Sequence, residues 1–171
     1  MKRTSIAVLG LITCLGFAAC DDKSPTSPSD TVKLTAQLSP ANEVPPVTNG
    51  EASGSGTVTV TMHLTRDGAG TITAATADFD VAMTGFPANT PLTMAHIHTG
   101  AVGVSGAVLV NTGLSSGEVT LATGAGSFSK NGVSVSAATA QDILANPAGF
   151  YFNVHTLLNP TGVARGQLVK S

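Results

Sequence analysis

Two of the four histidines in this sequence, His96 and His98, stand two residues apart in the segment MAHIH. Residues i and i+2 of a β-strand point to the same side of its sheet, so a strand here presents both imidazoles together. Ala95 and Ile97 are then expected to face the core. A His-x-His pair on a strand supplies two nitrogen ligands to a metal ion, and neutral imidazole suits copper or zinc.

A third imidazole is expected from His155, in the segment FYFNVHT. Phe152 and Val154 form the predicted core face of this strand, and His155 alternates with them. We therefore predict a metal site made of His96, His98 and His155. The alternative is that these histidines hydrogen-bond loops and brace the rim of the domain, and the spacing leaves both interpretations open.

Arg165 is one of three arginines in the chain and lies in the segment GVARGQL. An arginine in an apolar strand usually has a carboxylate or a backbone carbonyl as its partner, and Glu43 is a candidate carboxylate. The alternative function of Arg165 is to guide an anion towards the metal. Glu43 itself precedes two prolines, which predict an irregular, extended segment at a sheet edge.

No catalytic residue is predicted. The sequence contains no evident pair of carboxylates, so hydrolysis lacks support. Acid–base catalysis by the histidines is a weaker alternative than metal binding. The sequence therefore favours a protein that is not an enzyme.

The N-terminus has the layout of a secretory signal peptide. Lys2 and Arg3 precede the uncharged apolar stretch 6–17, which is too short to span a membrane, and small residues lead to Cys20. This ending resembles the lipobox of bacterial lipoproteins, which implies that residues 1–19 are removed and that Cys20 is lipidated. Residues 20–30 are then the lipidated cysteine and a Ser/Pro-rich flexible tether, and the domain covers 31–171. The expected location is the bacterial cell envelope, either periplasmic or surface-exposed, with the membrane contacted through the lipid.

Export and lipidation restrict the chemistry that remains. Cys14 is lost with the signal peptide and Cys20 is consumed by the lipid, so neither a disulfide nor a thiolate ligand is available. Two of the eight basic residues lie in the signal peptide, which leaves six basic against ten acidic residues. An acidic chain argues against nucleic acid as a partner.

The rest of the chain alternates between polar and apolar residues in short runs separated by turns. In Thr57–Thr65 the apolar residues share one face, and His63 shares the other face with threonines, so it is expected to be exposed. One helix is predicted over Ala137–Ala145, with Ser136 as its N-cap. These features predict an all-β antiparallel sandwich or barrel. The further predicted strands are Val32–Leu38, Thr71–Met83, Leu92–His98, Ala107–Asn111, Glu118–Ala122, Phe150–Thr156 and Val163–Val169.

Four segments together resemble the CHRD (chordin-type) domain over about Thr31–Ser171: LSPANEVPPV, AHIHTG, YFNVHT and GVARGQL. The family often has Glu where Ala164 stands, and a longer Gly-Pro-Ala run after the histidine pair. The resemblance implies an immunoglobulin-like, Greek-key β-sandwich that is distantly similar to copper/zinc superoxide dismutase. It implies a binding or structural module whose partner is not identified.

The similarity to the dismutase implies that His96, His98 and His155 match copper ligands and that Arg165 matches its anion-guiding arginine. No histidine lies between His98 and His155, so the bridging ligand and the zinc site are missing. The leading hypothesis is therefore an envelope binding or structural module without a cofactor. The alternative is a copper-binding protein with weak dismutase-like redox activity.

Overall fold

Residues 29–171 are described by a computed structural model of the chain. The predicted signal peptide, the lipidation site Cys20 and residues 21–28 of the predicted tether lie outside these residues. The first strand begins at Ser29, two residues before the predicted start of the domain at Thr31. No helix within 29–171 is both long and apolar enough to cross a membrane.

Strands form the domain, as the alternating pattern predicts, with one α-helix, α1 (Ala137–Ala145). Short 3-10 turns cover Pro40–Asn42 and Pro147–Gly149. The strands are β1 (Ser29–Leu38), β2 (Ser55–Arg66), β3 (Ile72–Thr84), β4 (Thr90–Thr99), β5 (Val108–Asn111), β6 (Val119–Leu121), β7 (Gly126–Val135), β8 (Phe150–Thr156), β9 (Ala164–Gln167) and β10 (Val169–Lys170).

The strands form two antiparallel sheets packed as a sandwich. The first sheet has the order β10-β1-β2-β3-β7, and the second has the order β5-β4-β8-β9, with β6 also paired to β4. The chain passes between the sheets after β3, β6, β7 and β9, so sequential strands are not all neighbours. The predicted all-β Greek-key sandwich with one late helix is confirmed.

The core lies between the two sheets. On β2, Val58, Val60, Met62 and Leu64 are buried, while the alternate residues are partly or fully exposed. Across the interface, Phe79 of the first sheet stacks on Phe152 of the second, with ring centroids 5.8 Å apart. Burial of this apolar face is the main stabilisation of a fold of this kind.

Strands β4 and β8 are buried on both faces near the histidines. Ile97 and Val154 face the core as predicted, and the polar residues that alternate with them are also at most 8% exposed. The loop Gly100–Gly106 covers this face, and its Ala101 carbonyl accepts a hydrogen bond from Arg165. The segment 40–51 also covers it, and its Glu51 carboxylate accepts a hydrogen bond from Thr156. The outer face of β8 is therefore a second, polar interior.

Three details differ from the sequence prediction. Strand β7 was not predicted, because Asn131-Gly132 is typical of a turn. In the structure this dipeptide is a β-bulge opposite Asp78, whose carboxylate accepts a hydrogen bond from the Gly132 N–H. The predicted strand Val163–Val169 is divided between β9 and β10, because the chain changes sheets after Leu168. Asn42, the first residue of the segment predicted to be irregular and extended (Asn42–Val47), is the last residue of a 3-10 turn (Pro40–Asn42).

The remaining elements agree with the prediction. Helix α1 has the predicted bounds, and the Ser136 hydroxyl accepts a hydrogen bond from the Thr139 N–H as an N-cap. His63 is partly exposed, and its Nε2 lies 2.8 Å from the Asp78 carboxylate. His63 lies on the first sheet, whereas the other three histidines lie on the second.

Candidate metal site

The three predicted ligands lie on two neighbouring strands. In the antiparallel register of β4 and β8, His96 pairs with Asn153, His98 with Tyr151, and Met94 with His155. All three imidazoles point away from the core, because each alternates with a core residue. They are nevertheless only 5–8% exposed. The sequence-predicted ligands are thus brought together in a buried polar layer.

The ring nitrogens of these residues form a group that could hold a metal ion. One nitrogen from each of His96, His98 and His155 lies within 4.8 Å of the other two. Nδ1 of His96 and Nε2 of His155 are 3.2 Å apart. Metal–nitrogen bonds of about 2.0 Å in tetrahedral geometry place nitrogens roughly 3.3 Å apart. One pair already meets this condition, and the third nitrogen requires a shift of up to about 1.5 Å to join a metal with such bonds.

Backbone carbonyls fix the orientation of two of the rings. Nδ1 of His98 donates to the carbonyl of Gly106 at 3.0 Å, and Nδ1 of His155 donates to the carbonyl of Pro160 at 2.9 Å. A neutral imidazole carries one proton, so Nε2 of both rings is left with a free lone pair. Second-shell hydrogen bonds of this kind orient metal-binding histidines.

The Nε2 atom of His98 is the clearest indication of a missing ligand. It is buried and makes no hydrogen bond to any residue of 29–171. Leaving a buried polar atom without a partner costs about 1–3 kcal/mol. A bound metal ion would satisfy this atom, so the residues present fit a metal.

His96 interacts with the other ligands instead of with the backbone. Since Nε2 of His155 has a free lone pair, Nδ1–H of His96 donates to it in the metal-free protein. Oδ1 of Asn153 lies 3.1 Å from the same His155 nitrogen. To bind a metal through Nδ1, His96 would carry this proton on its own Nε2 instead and so remain neutral.

Burial keeps the three imidazoles neutral. Burial, together with the neighbouring His155 and His98, lowers the pKa of His96 to about 4. Burial also lowers the pKa of His98 and that of His155, although their hydrogen bonds to Gly106 and Pro160 oppose the effect. Neutral imidazole is the form that binds metal, so the ligands need no deprotonation at neutral pH.

Arg165 lies beside this group but does not face it. Tyr151 separates the two: the His98 ring stacks on the Tyr151 ring with centroids 4.8 Å apart, and the Arg165 guanidinium carbon lies 3.5 Å from the Tyr151 centroid. Because β8 lies between β4 and β9, His98 and Arg165 occupy opposite sides of Tyr151. The charge of Arg165 is nevertheless near enough to help lower the pKa of His98. The interpretation of Arg165 as a guide to a metal-bound anion stays a prediction.

Backbone carbonyls are the partners of Arg165. Its Nη2 donates to the carbonyls of Ala101 and Val104 at 2.8 and 2.9 Å, which fixes the loop after the histidine pair. Glu43, the predicted carboxylate partner, lies close enough for the charge of Arg165 to lower its pKa. Within 29–171, however, no ion pair joins the two side chains. The carbonyl alternative is therefore the one that the structure supports.

Asn153 and Tyr151 are residues whose part in the site the sequence analysis missed. Alternation placed both on the face of His155, but gave no sign that this face is buried. The signal that could have found them is the polar Tyr-x-Asn-x-His pattern on a strand that is otherwise apolar. A buried asparagine and tyrosine in such a strand require partners, and the histidines are the nearest polar groups.

The fold is an all-β domain of two packed antiparallel sheets. Three imidazoles lie beneath the loop and the segment that cover one sheet, and they form its candidate metal site. The family model of the CHRD domain matches residues 34–168. The chain therefore belongs to the CHRD domain family, which suggests a binding or structural module. No curated protein and no solved structure matched the chain.

Proposed function

We propose that this CHRD domain is a copper-binding module that holds the ion through His96, His98 and His155. The observation that supports the proposal most strongly is the buried Nε2 of His98, which has no hydrogen-bond partner in 29–171. One nitrogen from each of the three rings also lies within 4.8 Å of the other two. When bound, copper would supply one-electron chemistry. The imidazoles orient and bind it.

The ligand set favours copper over other common divalent ions. Three neutral nitrogens without a carboxylate or a thiolate form a site that calcium and magnesium bind poorly. Among first-row divalent ions, copper binds most tightly to nitrogen ligands. The site is also closed, because the three histidines are only 5–8% exposed. This closure favours binding of the ion over catalytic turnover.

The proposal includes export and lipid anchoring at Cys20. Its support is the sequence of the N-terminus, with a basic start, an apolar stretch and small residues before the cysteine. Cells labelled with radioactive palmitate should yield a labelled protein in the membrane fraction, and Cys20→Ser should remove the label. A labelled Cys20→Ser variant, or an unlabelled wild type, would contradict the anchor.

Copper titration of the purified full chain tests the metal site. We expect one copper ion per chain, with nitrogen hyperfine structure in the electron spin resonance spectrum. His98→Ala should lose it, whereas His63→Ala is the matched control, because His63 bonds Asp78 and lies outside the group. Equal copper binding by the two variants, or tighter retention of zinc than of copper, would refute the proposal.

A second function is favoured by the hydrogen bonds of His98 and His155 to Gly106 and Pro160. These bonds fix two loops without any metal, as a purely structural module requires. In that case each of the two variants, His98→Ala and His155→Ala, lowers the free energy of unfolding by the same amount with copper as with a chelator. A copper-binding module instead shows a larger loss when copper is present, because binding to the native state adds to stability.

A further inference from the structure

A surface pocket lies away from the histidines, between the irregular segment after Ser39, the loop after the histidine pair, and β9. Its volume is about 500 Å³. This size is within the range of pockets that bind small molecules. The lining residues are Ala41, Asn42, Glu43, Val44, Pro46, Val102, Gly103, Arg165 and Gln167.

Charge and apolar surface are separated in this pocket. Arg165 and Glu43 are only 1% and 8% exposed, so they form its inner end. Val44 is 42% exposed and Val102 is 81% exposed, and they form the rim. An exposed valine at the rim and a buried arginine at the inner end suit a ligand with one anionic end and one apolar end.

Arg165 offers hydrogen-bond donors to this pocket. Its Nη2 is used by Ala101, Val104 and Gln167, but Nε and Nη1 donate to no residue of 29–171. A guanidinium carries five N–H donors in one plane, and a carboxylate can accept from two of them at once. A buried charge without an anionic partner is costly, so an anion bound here would relieve that cost.

Glu43 does not prevent an anion from binding. Burial raises the pKa of its carboxyl to about 7, although Arg165 and Asn153 oppose the shift. Its Oε1 is buried and has no hydrogen-bond partner among the described residues. A protonated carboxyl would donate its hydrogen to a bound anion.

We infer that this pocket is a binding site for a small carboxylate with a short aliphatic chain. The carboxylate accepts hydrogen bonds from Nε and Nη1 of Arg165 and from the carboxyl of Glu43. The aliphatic chain packs against Val44, Pro46 and Val102. The site uses no metal ligand, so it is independent of the proposed copper site.

The test is a titration of the full chain with hexanoate, followed by NMR chemical shifts. We expect saturable shifts at Glu43, Val102 and the Nε–H of Arg165, with a dissociation constant of about 1 mM for so small a ligand. 1-Hexanol is the matched neutral probe and should bind at least tenfold more weakly. Equal binding of hexanol would overturn the carboxylate assignment, and an absence of saturable shifts would overturn the site itself.

Val102→Glu tests the pocket without disturbing the interior. Val102 is highly exposed, so the substitution keeps the fold and places a negative charge at the rim. Hexanoate affinity should fall at least fivefold. Val108→Glu is the matched control, because Val108 is exposed but does not line the pocket. Equal affinities of the two variants would contradict the proposed location.

Arg165→Lys tests the guanidinium directly. Lysine keeps the positive charge but lacks the planar fork, so hexanoate affinity should fall at least tenfold. The folded state of this variant is checked by its NMR spectrum, since Arg165 also fixes the covering loop. If the folded variant binds hexanoate as wild type does, Arg165 is not the anion partner. If it does not fold, Val102→Glu still decides the proposal.

Discussion

Asn153 lies opposite His96 on one neighbouring strand and opposite Arg165 on the other. Its side chain is 1% exposed, and its Oδ1 is 3.1 Å from Nε2 of His155. It also interacts with Glu43, whose pKa it lowers. One buried amide thus separates the proposed copper ligands from the charged end of the pocket.

Asn153→Ala should weaken copper binding about 10- to 100-fold, because residues that orient metal ligands have effects of this size. The affinity is measured by competition with a chelator of known strength. Asn111→Ala is the matched control, since Asn111 lies opposite His96 on the other side but is exposed. Similar losses in both variants would mean that Asn153 has no special part in the site.

Tyr151 should stabilise the domain through its ring more than through its hydroxyl. The ring stacks between His98 and Arg165, whereas the hydroxyl accepts only a long hydrogen bond, 3.3 Å, from the Gly106 N–H. Tyr151→Phe should lower the free energy of unfolding by less than about 1 kcal/mol, and Tyr151→Leu by about 2–3 kcal/mol. Urea denaturation measures both. A larger loss of stability in Tyr151→Phe than in Tyr151→Leu would show that the hydroxyl stabilises the domain more than the ring does.

Gly162→Ala should destabilise the fold by at least about 2 kcal/mol. Gly162 has φ +138°, and a Cβ there would lie 2.6 Å from Oε1 of Glu43 and 2.7 Å from Nδ2 of Asn153. Gly68→Ala is the control, because nothing lies within 4 Å of its added Cβ. Thermal unfolding of the two variants measures the difference. A Gly162→Ala variant as stable as wild type would show that Glu43 and Asn153 can move away from the added Cβ without loss of stability.

The Glu43→Gln variant should be more stable than wild type, and this difference in the free energy of unfolding should increase with pH. Burial holds the pKa of Glu43 at about 7 in the folded protein, above the value of 4.5 that is usual for an exposed side chain. As the pH rises, the unfolded chain releases this proton first, so wild type loses stability between about pH 4.5 and 7 and does not regain it above. The Glu43→Gln variant has no carboxyl at this position, so its stability does not fall in this way as the pH rises.

The difference between Glu43→Gln and wild type should therefore be small near pH 4 and reach about 1–3 kcal/mol at pH 8. Urea unfolding at several pH values measures it. The histidines titrate in both proteins, so their contribution cancels in the comparison. A difference that shrinks as the pH rises would contradict the raised pKa.

Alternation alone predicted which way the histidines point. Ala95 and Ile97 identify the core face of β4, and His96 and His98 must then share the other face. It could not predict the register between β4 and β8, because 50 residues separate Thr99 from Phe150 and no tight turn fixes their pairing. That register is what brings His155 to His96.

The cover over the site was also beyond the sequence pattern. The loop Gly100–Gly106 has no periodicity, and its position is set by the bonds of its carbonyls to Arg165 and Gln167. Glu43 was expected to pair with Arg165, since the two are the obvious opposite charges. The carbonyls of Ala101 and Val104 accept from Nη2 of the guanidinium instead, and burial raises the pKa of the Glu43 carboxyl.

Strand β1 also determines how far the two sites stand from the start of the domain. Ser29 begins this strand, and Ser39, just after its end, pairs through the backbone with Arg165. Ten residues of extended chain cover about 30 Å. Ser29 and the carboxylate pocket therefore lie at opposite ends of β1. A lipid attached at Cys20, as proposed, would be joined to the end of the domain remote from the pocket.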